Sequence, residues 1–305
     1  MKISRRHFTK LTIGGSLALA FGQGARASDD VLGQKGIPSS VEKIPIVGLG
    51  TNRYGVGDNQ EQRAMLREAL ATFHKLGGTV IDTAPMYRSS EQVLGDLIEE
   101  LGIRDALFMA TKVDVNGRQE QAARMQRSFD RLKYDEIDLM QNHNLIDWQN
   151  AIPAMREWQE EGRVRYVGIT SSRESQYEEM ERIMKNHDLD FIQINYSLAD
   201  QRRSDQRLLP LAADRGMAVL VNRPFGGGRV FRKLGGAEIP EWAQDFGAES
   251  WAQFLLKYAL SHPAATAAIP GMTKKHHVED NMQAARGRLP TPAERKRQET
   301  FFDSL

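Results

Sequence analysis

Apolar and polar positions along the chain follow two alternating rhythms. Short runs rich in β-branched and other apolar residues stand at 47–51, 79–83, 107–111, 137–142, 166–170, 191–194, 217–221 and 266–269. Between them lie longer stretches with apolar residues at helical spacing: 59–76, 90–101, 119–132, 148–161, 174–186, 204–215, 250–261 and 277–285. The first of these carries Met65, Leu66, Ala69, Leu70 and Phe73 on one face and meets a stop signal at Gly77-Gly78. A strand followed by a helix, repeated eight times over roughly 250 residues, predicts a (β/α)8 TIM barrel, an α/β fold in one domain. The alternative is a doubly wound open sheet, which would carry G-x-G-x-x-G after its first strand. Here that place reads Gly48-Leu49-Gly50-Thr51-Asn52-Arg53, with arginine where the third glycine belongs. Residues 286–305 read as a tail with a final helical stretch.

The first 27 residues stand outside this rhythm. A basic start is followed by an apolar run at 11–21 and then by Ala25-Arg26-Ala27, the order of a secretory signal with a small-x-small cleavage site. The apolar run is too short to span a bilayer. Ser4-Arg5-Arg6-His7-Phe8-Thr9-Lys10 resembles the twin-arginine (Tat) motif, which sends folded proteins across the bacterial inner membrane. Residues 1–27 are therefore expected to be a removable Tat signal peptide. Residues 28–305 are then a periplasmic domain that has the Tat export machinery as a partner and no stable membrane anchor.

Charge changes the picture once it is split at that boundary. The whole chain has 41 basic and 40 acidic side chains, but Lys2, Arg5, Arg6, Lys10 and Arg26 all lie in the first 27 residues, which contain no acid. The remaining 36 basic and 40 acidic side chains give the expected mature chain a net charge of −4, no footprint for nucleic acid. The chain has no cysteine, which rules out disulfides, cysteine-ligated metals and a lipoprotein anchor. No metal is expected. Nothing in the sequence sets an oligomeric state.

In a parallel barrel, functional groups gather at the C-terminal ends of the strands. Those ends supply Asp82, Lys112 and His143, with Tyr87 five residues beyond Asp82 in the loop after the same strand. Singly, these are ordinary as a helix cap, a surface aromatic, a solvated rim lysine and a satisfied loop histidine. Together they form an acid–base site. A nearby ammonium favours the phenolate and so lowers the pKa of a phenol. Asp82 would hold Lys112 charged, and His143 would donate to a substrate oxygen. Such a group suits proton delivery to a carbonyl oxygen while hydride reaches the carbon from elsewhere.

These residues also carry a family resemblance. Val80-Ile81-Asp82-Thr83-Ala84-Pro85-Met86-Tyr87, followed by Glu91-Gln92-Val93-Leu94-Gly95, resembles the aldo-keto reductase signature. Met109-Ala110-Thr111-Lys112, Asp138 to His143, Gly48 to Thr51 and Ile269-Pro270-Gly271 are similar to further segments of that family, in the same order. The resemblance implies a barrel that binds NADP(H), or alternatively NAD(H), and reduces an aldehyde or ketone to an alcohol. It implies Tyr87 as general acid, Lys112 lowering its pKa, Asp82 pairing with Lys112, and His143 orienting the carbonyl.

Cofactor residues follow from the same resemblance, with departures. Thr51, Thr170, Ser171 and Gln193 fall where the family holds the nicotinamide end, although Ser171 replaces an asparagine. Asn222 falls where an aromatic residue usually stacks. Pro224, Phe225, Gly226 and Gly228 follow it, in a glycine-rich loop expected to approach a pyrophosphate. Gly271 and His277 occupy the positions of the family's phosphate-gripping basic residues, while Lys274 and Lys275 supply charge near a helix start. Asp280 and Asn281 fall where adenine is contacted. Arg53, Tyr54, Met86, Asn144, Trp148 and Arg223 are candidates to line the substrate pocket. The departures also allow an exported nucleotide-binding or redox-sensing barrel with little turnover, acting through a partner.

Overall fold

The computed structural model describes residues 31–199 and 202–305. Ten strands occur among them: β1 Gln34–Gly36, β2 Lys43–Pro45, β3 Leu49–Gly50, β4 Val80–Asp82, β5 Phe108–Val113, β6 Ile137–His143, β7 Val164–Ser171, β8 Phe191–Asn195, β9 Ala218–Asn222 and β10 Ala267–Ala268. The helices are α1 Gln60–Lys75, α2 Ser90–Leu101, α3 Arg118–Leu132, α4 Trp148–Glu160, α5 Tyr177–Asn186, α6 Leu208–Asp214, α7 Arg229–Leu234, α8 Trp251–Leu260, α9 Lys275–Gln283 and α10 Pro292–Asp303. Strands β3 to β10 run parallel, each beside its sequence neighbour. The ends of that sheet meet: the Gly48 and Gly50 amides donate to Ala268 O at 2.8 Å and Pro270 O at 2.9 Å. Closure requires close backbone approach, since a Cβ on Gly50 would lie 2.6 Å from Ile269 O. The eight expected strands are all present, in a closed barrel rather than an open sheet.

Alternation along each strand divides the barrel into two ends. Val80, Phe108, Leu139, Tyr166, Phe191 and Ala218 face inward low in the barrel and form one apolar cluster. Phe108, Tyr166 and Phe191 fill its middle, with ring centroids 5.5–6.1 Å apart. Two or four residues further along the same strands, the same period brings Asp82, Lys112, Gln141, His143, Thr170 and Gln193 inward. The interior is therefore apolar below and polar at the mouth. The outward residues pack on the helices, as Leu66, Ala69, Leu70 and Phe73 of α1 do at i, i+3, i+4 and i+7.

Three pieces fall outside the predicted pattern. The antiparallel hairpin β1–β2 closes the bottom of the barrel, with Ile37 and Ile44 buried against the inner apolar cluster. Lys35 ties this hairpin to the barrel by donating to the carbonyls of Leu260, His262 and Ala265. The short helix α7 and a 3-10 turn at Glu241–Phe246 fill the connection between β9 and α8. The expected final helical stretch is α10, whose start is a capping box between Thr291 and Glu294. The predicted signal at 1–27 lies outside the described residues. No helix among the described residues is long and apolar enough to cross a membrane.

Candidate active site

The polar end of the barrel brings together the four residues expected to do chemistry. Lys112 Nζ donates to Asp82 Oδ2 at 2.7 Å and to the Thr83 carbonyl at 2.6 Å. Gln141, inward on the next strand, donates to Asp82 Oδ1 at 3.2 Å. Both members of the ion pair are buried. The Tyr87 ring lies beside it, with Lys112 Nζ 5.2 Å from the ring centroid and the His143 ring perpendicular at 6.2 Å. Local structure fixes Tyr87 from both sides. Its amide donates to Ala84 O, and its carbonyl accepts from the Ser90 amide that opens α2. The loop is pressed onto Gly55, where any Cβ would overlap the Tyr87 carbonyl oxygen. The Ser90 hydroxyl in turn bonds Thr51 O and approaches Thr83 Oγ1, lacing the loop to two strand ends.

Burial and charge set the protonation states. Burial acts against the Lys112 ammonium, but Asp82 and the Tyr87 hydroxyl outweigh it and hold its pKa above the ordinary lysine value. Burial pushes the Tyr87 phenol up. Lys112 pulls it down, as the sequence suggested, yet burial and Asp82 leave the net shift upward. The resting phenol is therefore firmly protonated, the state a general acid requires. Burial, with Lys112 and Arg173 nearby, drives His143 down to about 3, so its imidazole is neutral. Its Nδ1 is buried without a hydrogen-bond partner.

The wall beside this tetrad contains several of the expected cofactor residues. Thr170 and Gln193 are paired in register and bonded through Thr170 Oγ1 to Gln193 Oε1 at 2.7 Å, which leaves Gln193 Nε2 buried and unpartnered. Ser171 lies one position out of phase: its hydroxyl donates to Gln176 and accepts from the Arg173 amide, behind the wall. The Thr51 hydroxyl donates to Asp82 O at 2.8 Å and thereby joins the scaffold under the tetrad. Asn222 ends β9 with its Oδ1 buried and unpartnered. Asn195 at the end of β8 is fully buried with the same orphaned acceptor. It was not among the expected site residues, although the period of two from Gln193 points to it.

The phosphate side is more dispersed. The Gly226 and Gly228 amides already donate to Arg223 O and Phe225 O inside the turn, and the Phe225 ring packs on Phe231 at 5.3 Å. Pro224 is buried at the head of this turn. Gly271 lies on the closing seam, bridged to Gly50. Lys274 and Lys275 are exposed at the start of α9, with Lys275 3.8 Å from Glu68 of α1. His277 stacks edge-on with His276, and burial and that neighbour depress its pKa. Asp280 faces α8, where it accepts from Ser250 Oγ and Gln253 Nε2, and Asn281 is buried beside it. Of the candidate pocket residues, Tyr54 is buried and donates to Met272 O, and Trp148 donates to Glu179. Met86 is half exposed at the rim, and Asn144 and Arg223 adopt positive φ there.

Known proteins give independent context for this geometry. The profile described as the Aldo/keto reductase family matches residues 46–293. An uncharacterized oxidoreductase, YqkF of Bacillus subtilis, is 28% identical over 295 residues, covering 83% of this chain and 91% of that protein. The methylglyoxal reductase YeaE of Escherichia coli is 28% identical over 246 residues, covering 78% and 84%. An aldo/keto reductase from Klebsiella pneumoniae, solved in complex with NADP and acetate, superposes with a TM-score of 0.73 at 27% identity, covering 86% of this chain and 93% of that one. With the matched segment spanning the closed barrel and its tetrad, the chain belongs to the aldo/keto reductase family of oxidoreductases.

Proposed function

We propose that this protein reduces a small aldehyde or ketone to the alcohol with NADPH, through Tyr87. The observation that carries the reading is the buried Asp82–Lys112 pair packed against the Tyr87 ring, with the His143 ring perpendicular to it. The residues present fit the cofactor: Gln193 Nε2, Asn195 Oδ1 and Asn222 Oδ1 are buried polar atoms awaiting partners beside that site. Thr170, Gln193 and Asn222 would hold the nicotinamide end, and Lys274 with Lys275 would meet phosphate. NADPH, when bound, supplies hydride to the carbonyl carbon.

The chain's own groups handle the proton. The neutral His143 imidazole donates an N–H to the carbonyl oxygen and fixes its position. Tyr87 Oη gives its proton to that oxygen as negative charge builds there. The Lys112 ammonium, held by Asp82, stabilises the phenolate left behind. Proton uptake from water then restores Tyr87. The related methylglyoxal and glyoxal reductases favour a small 1,2-dicarbonyl as substrate.

In this reading the enzyme works in the periplasm. Support comes from the twin-arginine segment Ser4 to Lys10, the apolar run and Ala25-Arg26-Ala27, all outside the described residues. Folded export carries the cofactor across already bound. A second reading, a nucleotide-binding or redox-sensing barrel with little turnover, is favoured by one observation: two of the three glycine-loop amides are already used within their turn.

The deciding experiment follows methylglyoxal-dependent NADPH oxidation by wild type and Tyr87→Phe. A fall of about 10²–10⁴-fold in kcat supports the enzymatic reading. Equal rates in both proteins refute it and leave the sensing barrel.

A further inference from the structure

The polar mouth of the barrel contains two buried acceptor atoms, Asn195 Oδ1 and Asn222 Oδ1, that take no part in the proton transfer. Asn195 ends β8 and Asn222 ends β9, and the two are direct register partners. Two residues earlier the same pairing joins Gln193 to Leu220, which faces the barrel interior, so the period of two brings both asparagines inward at the next level up. Asn195 is fully buried, and its Nδ2 donates to the Ser172 carbonyl oxygen at 2.7 Å. A carbonyl oxygen only accepts, so the orientation of the amide is fixed and the atom left over is Oδ1. Asn195 Oδ1 and Asn222 Oδ1 are both buried without a partner. Buried acceptors are costly when unpaired, and a ligand that donates to them relieves that cost. One level below, Gln193 Nε2 is a buried, unpartnered donor. The wall thus offers one donor beneath two acceptors.

We propose that Asn195 and Asn222 form an amide-recognition pair whose two carbonyl oxygens accept hydrogen bonds from the N–H2 of the nicotinamide carboxamide. The pair would select that neutral headgroup against its carboxylate counterpart. This rests on the cofactor reading above. A primary carboxamide has one acceptor oxygen and two N–H donors, the complement of this wall. A carboxylate has acceptors only, and here it would set its negative charge against two carbonyl oxygens. An aromatic ring at the Asn222 position would grip the nicotinamide by its face and be indifferent to the headgroup. Directed hydrogen bonds make the grip chemically selective.

The test compares binding of NADP+ and nicotinic acid adenine dinucleotide phosphate to the folded protein by isothermal titration calorimetry. The two nucleotides differ only in carboxamide against carboxylate. Wild type is expected to bind NADP+ roughly 10- to 100-fold more tightly, the cost of leaving a buried acceptor unpaired. Asn222→Ala and Asn195→Ala should each narrow that ratio to within about threefold, mainly by weakening NADP+. Should Asn195→Ala not fold, the wild-type ratio and Asn222→Ala remain sufficient. Equal affinity of wild type for the two nucleotides overturns the proposal, as does an unchanged ratio in Asn222→Ala. Failure of wild type to bind either nucleotide overturns the cofactor reading and this pair's role with it, a result distinct from binding without discrimination.

Discussion

Replacing Asp82 by asparagine removes one charge and little volume, and its effect can be worked out from the contacts. Lys112 Nζ donates to Asp82 Oδ2 at 2.7 Å and to Thr83 O at 2.6 Å and also bonds the Tyr87 hydroxyl, and both side chains of the ion pair are almost completely shielded. In Asp82→Asn the ammonium keeps only neutral acceptors, the Thr83 carbonyl, the Tyr87 hydroxyl and the new amide oxygen, and no counter-charge in a buried site. Breaking a buried pair by removing one partner costs about 3–5 kcal/mol, because the other charge is left uncompensated. For a domain of this size that is roughly 6–20 °C in Tm. Lys112→Met leaves the Asp82 carboxylate with only Gln141 and should cost a similar amount. The double variant Asp82→Asn/Lys112→Met buries no charge and should be more stable than the sum of the single losses by about 3 kcal/mol. Urea denaturation of the four proteins measures this coupling. A coupling below about 1 kcal/mol would show that the pair behaves as an exposed one and refute the reasoning.

Two further outcomes follow from the same site. In the folded protein His143 titrates near 3, against an ordinary value near 6.5, because burial disfavours its charge. Below about pH 6.5 the unfolded chain takes up a proton that the folded chain refuses, so this part of the stability is lost as pH falls from about 6.5 to 3. Denaturation between pH 4 and pH 7 should show a shallower slope in His143→Gln than in wild type, and parallel slopes would contradict a buried neutral imidazole. Gly55→Ala must displace the Tyr87 loop, since its Cβ overlaps the Tyr87 carbonyl oxygen. A shift of about 1 Å at the acid should lower kcat about 100-fold, and a variant with wild-type kcat would mean that this packing does not set Tyr87.

The barrel was legible because its strands are buried on both faces and its helices on one, so the two periods in the sequence are strong. The tetrad was legible because Asp82, Lys112 and His143 stand at strand ends, where topology alone collects them. What was not legible depended on phase or on tertiary contact. Thr170 and Ser171 are adjacent in sequence, yet only Thr170 faces the wall, while Ser171 turns to Gln176. Asn195 was within reach of the alternation but matched no expected motif. Asp280 is drawn to Ser250 and Gln253 by a contact across 30 and 27 residues, which no local pattern announces. The hairpin β1–β2 has three residues per strand, too few to show a period.

The central claim is that a carbonyl carbon receives hydride from the nicotinamide while Tyr87 protonates the oxygen. Isotope tracing with benzaldehyde, whose alcohol product has no carbonyl beside the new C–H bond and so cannot exchange it with solvent, tests it most directly. With NADPH deuterated at the transferring C4 position, in ordinary water, the alcohol carbon should carry one deuterium per turnover. With unlabelled NADPH in heavy water, that carbon should carry none, because the solvent proton passing through Tyr87 reaches only the oxygen. Deuterium from solvent on that carbon, or wild-type protein that oxidises no NADPH with any small carbonyl compound, would contradict the account.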